Sequence, residues 1–166
     1  HTFSGHGPML EGGLAWCSSQ QGSVMDEFDT LVDPVRHDLR VRENYAPLID
    51  TCEAGVYGYG HFGVPCNTYS SLLALQKRVL RLRHAPLGRP GLRGRDLVQV
   101  RDANLLLRVT CDSARGIFDT GGEFTVENVT DRGDSDIPQC HWPERASMCP
   151  LALMPDMIAL INYCGL

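Results

Sequence analysis

Two histidines could bind a metal ion through an unusual set of nitrogen atoms. His1 is the first residue, so its α-amine and its imidazole can both bind one metal ion. A second imidazole would complete a T-shaped site of three nitrogens, a ligand set that suits copper. We expect His61, in a stretch rich in glycine and aromatic residues, to supply it. His141 is the next choice, and Tyr163 could lie at an axial position.

The His1 site resembles the histidine brace of lytic polysaccharide monooxygenases, which also start at a histidine and are secreted and disulfide-bonded. The resemblance implies a copper cofactor and the oxidation of a polysaccharide. It covers one residue and the expected compartment, and the residues soon after His1 lack the Pro-x-x-Arg segment typical of that family. The alternative interpretation is that His1 marks only the position at which a protease cut a precursor.

Asp119-Thr120-Gly121 could carry a different chemistry. Two apolar residues precede it and Thr125-Val126 follows, a pattern that resembles the active-site loop of retropepsin-type aspartic proteases. In that family the aspartate shares a proton with its symmetry mate to activate water. A turn between two strands also needs Asp and Gly residues. We favour the turn, because the remaining chain lacks the apolar-apolar-Gly segment that would close such a fold.

Basic residues concentrate in one part of the chain. Residues 77–108 contain nine of the fifteen lysines and arginines but only two aspartates, a local charge of +7, whereas the net charge is −5. Such a stretch is typical of surfaces that bind acidic glycans or acidic partners, and the negative net charge argues against nucleic acid. The alternative is a solvated face whose arginines pair with the acidic residues of 112–136. The expected basic patch consists of Lys77, Arg78, Arg81, Arg89, Arg93 and Arg95.

Seven cysteines are spread over the chain without a CxxC pair, which argues against a structural zinc site. Their spacing favours disulfide bonds in an oxidising, extracellular compartment. We expect Cys52 and Cys66 to pair, because the glycine-rich residues between them can close a loop without strain. The odd number leaves one thiol, with Cys17 and Cys164 as candidates, for a bond to a protein partner or to a second copy.

Three short motifs lie in the acidic part of the chain. Asn128-Val129-Thr130 is a sequon for N-glycosylation, which agrees with secretion. Arg132-Gly133-Asp134 would be an integrin ligand only if it were displayed on an exposed loop. Asp131, Asp134 and Asp136 lack the glycine and the distal glutamate of an EF-hand calcium loop. We expect a surface turn for the Arg-Gly-Asp tripeptide and for the aspartate cluster.

The elements that position these residues are expected to be mainly strands. Alternating apolar and charged residues predict a half-buried strand within 31–50 and two strands at Asp96–Arg101 and Leu105–Cys111. Phe118 and Phe124–Val129 predict a strand pair that turns at Gly121-Gly122.

Two helices are expected beside these strands. One spans 69–84, with an apolar stripe that includes Leu75 and Leu82 and with Arg78 and Arg81 on its solvent face. The other is short and begins at Pro155, because proline is favoured in the first turn, and Gly165 ends it.

The sequence therefore predicts a mostly β fold, similar to a β-sandwich, with one or two short helices. It predicts one disulfide-stabilised domain over residues 1–166, with an extended arm over about residues 1–30. No apolar run is long enough to span a membrane, and no serine-hydrolase or nucleotide-binding motif is present. The leading functional hypothesis is a secreted interaction or structural glycoprotein at the cell or virion surface. The alternative is a copper-dependent polysaccharide monooxygenase.

Overall fold

A computed structural model describes residues 24–70, 78–127 and 148–166, together with residues 20, 22 and 73. The helices with described bounds are α1 (Arg42–Glu53), α2 (Gly94–Asp119) and α3 (Pro155–Cys164). The strands are β1 (Tyr59–Gly63) and β2 (Glu123–Glu127), and short 3-10 turns lie at Cys66–Thr68 and Leu151–Leu153. No helix in the described ranges has the length and hydropathy that a membrane span requires.

The expectation of a mostly β fold is wrong. The α-helices contain 12, 26 and 10 residues, whereas each of the two described strands contains five. No strand forms within 31–50, because residues 31–41 form turns and bends and α1 begins at Arg42. Asp96–Arg101 and Leu105–Cys111 both lie within α2.

The burial pattern of α2 explains why this segment is a helix. Its buried side chains recur at spacings of three and four residues, which places them on one face. That period overrides the local alternation of apolar residues that suggested strands. The positions that define this face are Val100, Ala103, Leu107, Thr110, Ala114 and Ile117.

The helix expected over 69–84 is wrong for residues 69–70 and 78–84, which lie outside any helix. Residues 78–81 are not in a regular element, and Leu82 forms isolated β-bridges with Ala85 and Met148. The Arg89 N–H donates to the carbonyl oxygen of Leu80 at 2.9 Å. Residues 71–72 and 74–77, including Leu75, lie outside the described residues.

The C-terminal helix is confirmed. α3 begins at Pro155, whose missing N–H needs no partner in the first turn of a helix. It ends before Gly165, which adopts a left-handed conformation with φ of 71°. The N–H groups of Gly165 and Leu166 donate to carbonyl oxygens of the last turn, those of Asn162 and Ile161.

The chain divides into two compact units. Unit 1 comprises His1–Val64 and Asp112–Glu127, and unit 2 comprises Pro65–Cys111 and Asn128–Leu166. α2 therefore contributes its last turns to unit 1 and the rest of its length to unit 2.

Unit 1 contains the sheet. β1 and β2 pair in parallel, with Tyr59 opposite Glu123 and His61 opposite Thr125. Gly60 lies so close to Ile117 that a Cβ atom there would come within 2.7 Å of the isoleucine Cδ1. A side chain at this position would therefore force the Ile117 side chain to shift where the sheet packs on the end of α2.

Unit 2 has an apolar core built around the first half of α2. Its members come from residues 73–82, from α2 and from the segment before α3. They are Leu73, Val79, Leu80, Val100 and Met148, with Leu82 and Leu92 packed against them.

No disulfide bond joins cysteines among the described residues, which corrects the expectation of a disulfide-stabilised domain. Cys52 and Cys66, the expected pair, both have free thiols. Burial raises the pKa of the Cys52 thiol, so it stays protonated and unreactive at neutral pH. Cys17 and Cys140 lie outside the described residues.

Candidate functional site

Four polar side chains form a connected network on the sheet of unit 1. Thr125 Oγ1 lies 2.8 Å from His61 Nδ1 and 2.8 Å from the hydroxyl of Tyr59. The other ring nitrogen, His61 Nε2, lies 3.4 Å from Glu127 Oε2. We call Tyr59, His61, Thr125 and Glu127 the His61 network.

The parallel register explains why these residues meet. Side chains two residues apart on a strand share a face, so Tyr59 and His61 lie on the same side of β1. Thr125 and Glu127 share that side of β2, directly opposite His61 and Gly63. Gly63 has no side chain, which leaves the space around Glu127 open to His61. The alternate residues of both strands are more buried.

The network has a consistent donor and acceptor order. The Glu127 carboxylate can only accept, so it favours the tautomer in which His61 carries its hydrogen on Nε2. His61 Nδ1 then accepts from the Thr125 hydroxyl, and Thr125 Oγ1 accepts from the Tyr59 hydroxyl. The His61 side chain is 21% exposed and that of Glu127 is 74% exposed, so solvent reaches the carboxylate more readily than the ring.

The copper site predicted from His1 is not tested by these contacts. His1 and His141 lie outside the described residues, and the structure places His61 in the network described above. Within the described ranges no group of three His, Cys, Asp or Glu residues could hold a metal ion. The His1–His61 site therefore stays a prediction. Copper titration of the chain, compared with a chain extended by one residue at its N-terminus, tests it.

The basic patch differs from the expectation at Arg81, which is buried rather than exposed. Arg81, expected on a solvent-facing helix, is 0% exposed and lies in unit 2. Arg78 is half-buried and pairs with Asp96, with 2.9 Å between its Nε and the carboxylate Oδ1. Arg78 also donates to Gln99 Oε1 at 2.7 Å.

The Arg81 guanidinium is held by neutral acceptors. Its Nη1 donates to Asn104 Oδ1 at 2.6 Å and to the carbonyl oxygen of Pro86 at 2.7 Å. Its Nε donates to Thr68 Oγ1 at 3.1 Å, and its Nη2 donates to the carbonyl oxygen of Val100 at 3.3 Å. Burial lowers the pKa of this guanidinium, yet an arginine remains charged at neutral pH. Arg81 is therefore a buried structural cation and cannot bind an external anion.

The aromatic ring of Tyr69 covers the same guanidinium. The Arg81 Cζ lies 4.4 Å from the ring centroid, a cation–π contact. The Tyr69 hydroxyl donates to the carbonyl oxygen of Ala103 at 3.2 Å. Burial raises the pKa of Tyr69 to about 12.

The exposed remainder of the basic patch is a loop. Arg89 and Arg93 lie in the loop before α2, Arg95 lies in the first turn of α2, and all three are exposed. We call residues 89–95 the arginine loop. Lys77 lies outside the described residues. An anion could therefore contact these three arginines, and the expected patch is smaller than the sequence suggested.

Asp119 lies at the end of α2 rather than between two strands. The N–H groups of Gly121 and Gly122 donate to the carbonyl oxygens of Phe118 and Ile117, which closes the turn into β2. The preference for a turn is thus correct, but the turn joins a helix to a strand. β2 overlaps the predicted strand Phe124–Val129 over residues 124–127, whereas Phe118, expected on the partner strand, lies in α2.

Unit 1 also contains a small acidic cleft of about 140 Å³ near this turn. Residues of α1 and of the last turns of α2 line it, and three of them are carboxylates. Such a volume holds a few water molecules or an ion rather than a drug-sized ligand. The lining residues are Ile49, Glu53, Asp112, Arg115, Gly116 and Asp119.

Several predicted motifs fall outside the described residues. These are the Asn128 sequon, Arg132-Gly133-Asp134 and the aspartates at 131, 134 and 136. Glycosylation at Asn128 stays a prediction.

The outward side of α3 is an uncharged surface in unit 2. Met157 and Leu160 are buried, but Ile158 is 42% and Tyr163 is 51% exposed. A helix on a protein surface normally carries charged residues on its solvent side. We call the five exposed residues of this helix the α3 outer face: Pro155, Ile158, Ala159, Asn162 and Tyr163.

No family model, curated protein or solved structure matches this chain at a significant level.

Sequence reasoning identified His61 but missed its partners. Tyr59, Thr125 and Glu127 were not connected to it, because parallel pairing of segments more than sixty residues apart leaves no local signal. One feature of the sequence could have placed Tyr59 beside His61. The two residues alternate with glycines, which is typical of side chains on one exposed face of a strand.

Proposed function

We propose that this chain is an interaction protein that self-associates through the α3 outer face. The proposal rests on the side chains that α3 exposes, which are uncharged and include two large apolar or aromatic groups. Met157 and Leu160 pack inside unit 2, while Ile158 and Tyr163 are exposed to solvent. Contact with another apolar surface would remove the exposed apolar groups from water, which favours association.

A second copy of the chain is the occupant that fits this surface best. All five residues of the α3 outer face are uncharged, so a charged partner surface would lose solvation there without gaining an ion pair. The same face of a second molecule is equally uncharged. In a two-fold dimer each copy presents the same patch, so the interface is complementary to itself if the shapes match.

We also propose that the protein is a secreted glycoprotein that binds an acidic glycan. A location outside the cell and glycosylation now rest on the Asn128 sequon, because the described cysteines form no disulfide bond. Binding of an acidic glycan rests on the exposed arginine loop.

The oligomeric state in solution tests self-association. We expect light scattering after size-exclusion chromatography to show a dimer for the unmodified chain and a monomer for Ile158→Glu. Val98→Glu is the matched control, because Val98 is an exposed apolar residue of unit 2, 56% exposed, that lies on α2. A chain that is monomeric at all concentrations, or a dimer that both variants weaken equally, contradicts the proposal.

A further inference from the structure

The His61 network has the order of groups that activates a hydroxyl nucleophile. In nucleophilic catalysis a base must lie within hydrogen-bond distance of the hydroxyl, and a third group must orient the base. Thr125 Oγ1 and His61 Nδ1 are 2.8 Å apart, and Glu127 Oε2 lies 3.4 Å from the other ring nitrogen. The hydroxyl, the imidazole and the carboxylate are therefore arranged in series.

We propose that this network is an acyl-transfer site, in which Thr125 is the nucleophile and His61 is the general base for small carboxylic esters. This activity goes beyond self-association and does not depend on it, because the network lies in unit 1 and the α3 outer face lies in unit 2.

The reaction needs only the ester, water and the side chains of the His61 network. Thr125 Oγ1 forms a bond to the ester carbonyl carbon while its proton passes to His61 Nδ1. The bond between that carbon and the alcohol oxygen breaks, and His61 returns the proton to the departing alcohol. Water then attacks the acyl group on Thr125, its proton passes through His61 to Thr125 Oγ1, and the carboxylic acid leaves.

Glu127 acts on the His61 ring and Tyr59 acts on the Thr125 hydroxyl, and neither acts on the substrate. The Glu127 carboxylate holds the Nε2–H tautomer, so the basic nitrogen faces Thr125, and it stabilises the imidazolium that forms. Glu127 is thus a positioning residue. Tyr59 donates to Thr125 Oγ1 and directs its hydrogen toward His61.

The exposure of the site sets the class of substrate. Thr125 is exposed and Tyr59 is 53% exposed, so the nucleophile lies on an open sheet face. A small, soluble ester with a good leaving group can reach this face directly. We therefore use p-nitrophenyl acetate as the probe.

The experiment measures hydrolysis of p-nitrophenyl acetate by the full chain and its variants. We expect Thr125→Val and His61→Gln each to lower kcat by about a hundredfold, and Thr125→Ser to retain activity. Glu127→Gln should lower kcat with little change in KM. Two matched controls, Glu123→Gln on the same strand and His84→Gln in unit 2, should leave hydrolysis unchanged, because both residues are exposed and lie outside the network.

Mass spectrometry identifies the acylated residue. The proposal requires an acetyl group on Thr125 after rapid quenching, and this label must be absent in Thr125→Val. Thermal melting of each variant shows whether it is folded. Hydrolysis no faster than in buffer overturns the proposal, and so does a folded Thr125→Val variant that retains full activity.

Discussion

Arg81 connects several segments of unit 2 through one side chain. It donates to Thr68, Pro86, Val100 and Asn104, and its removal would take a donor from the buried Thr68 hydroxyl and from the partly buried oxygens of Pro86 and Asn104. An unsatisfied buried acceptor typically costs about 1–3 kcal/mol. Part of that loss is offset, because the variant no longer buries a charge.

Arg81→Met should therefore lower the free energy of unfolding by about 3 kcal/mol. Urea denaturation of the variant and of the unmodified chain measures the difference. Arg89→Met is the matched control, because Arg89 is exposed, and it should change stability by less than about 0.5 kcal/mol. Equal effects of the two substitutions would show that Arg81 is not a structural cation.

Tyr69 makes the stability of unit 2 depend on pH in the alkaline range. Its pKa is raised from 10.0 to about 12, chiefly by burial, so the folded state holds this proton more tightly than the unfolded state. Between about pH 10 and about pH 12 the unfolded chain loses the proton first. The Tyr69 contribution to stability is complete below pH 10 and falls as the pH rises through this range.

Tyr69→Phe should remove this part of the pH dependence. We expect the unmodified chain to lose about 2 kcal/mol more stability than the variant between pH 10 and pH 12. Urea denaturation at several pH values gives both slopes, so the other titrating groups cancel in the comparison. Tyr163→Phe, which alters an exposed tyrosine, serves as the control. Parallel curves for Tyr69→Phe and the unmodified chain would contradict the assignment.

At the scale of elements, α1 and the last turns of α2 approach each other at Gly116. A Cβ atom on Gly116 would lie 2.9 Å from the backbone nitrogen of Glu53 and 3.1 Å from the carbonyl carbon of Cys52. These are backbone atoms, so neither can rotate away. The two segments of unit 1 therefore pack at a distance that only glycine allows.

Gly116→Ala sets two effects against each other. Alanine favours a helix over glycine by about 1 kcal/mol, whereas overpacking at this contact costs about 1–3 kcal/mol. We expect a net loss of stability, measured by thermal or urea denaturation. Gly58→Ala is the control, since a Cβ atom there meets nothing within 4 Å. A more stable Gly116→Ala variant would show that α1 can move away.

The elements that the sequence predicts correctly are those with local signals. Pro155 and Gly165 mark the ends of α3, and both signals lie within a few residues of the helix. α2 was mistaken for strands because Leu97, Val98 and Val100 alternate locally, while its true period becomes visible only over several turns. Arg81 was placed in solvent for a related reason, since nothing in residues 78–84 shows that distant residues supply its acceptors.

At the scale of the molecule, charge is distributed unevenly between the units. The described residues of unit 2 contain eight arginines and three aspartates, although the whole chain has a net charge of −5. Arg81 is buried and Arg78 pairs with Asp96. The exposed loop with Arg89, Arg93 and Arg95 is therefore the part of the predicted basic patch that an acidic glycan could contact.

Heparin, a sulfated glycan, is a suitable probe of this loop. Each arginine near an anionic surface contributes about 1 kcal/mol, so replacing all three with glutamine should weaken binding by roughly a hundredfold at low salt. Binding by the unmodified chain should fall as salt is added, because charges are screened over about 8 Å at physiological ionic strength. The triple variant should show a smaller salt dependence.

A second triple variant separates the loop from net charge alone. Replacing Arg36, Arg40 and Arg42 with glutamine removes the same charge from unit 1. If the loop is the binding surface, this control should bind heparin almost as the unmodified chain does. If both triple variants lose affinity equally, attraction depends on overall charge and the loop has no specific role. Stability should be nearly unchanged in the loop variant, because exposed charges contribute little to folding.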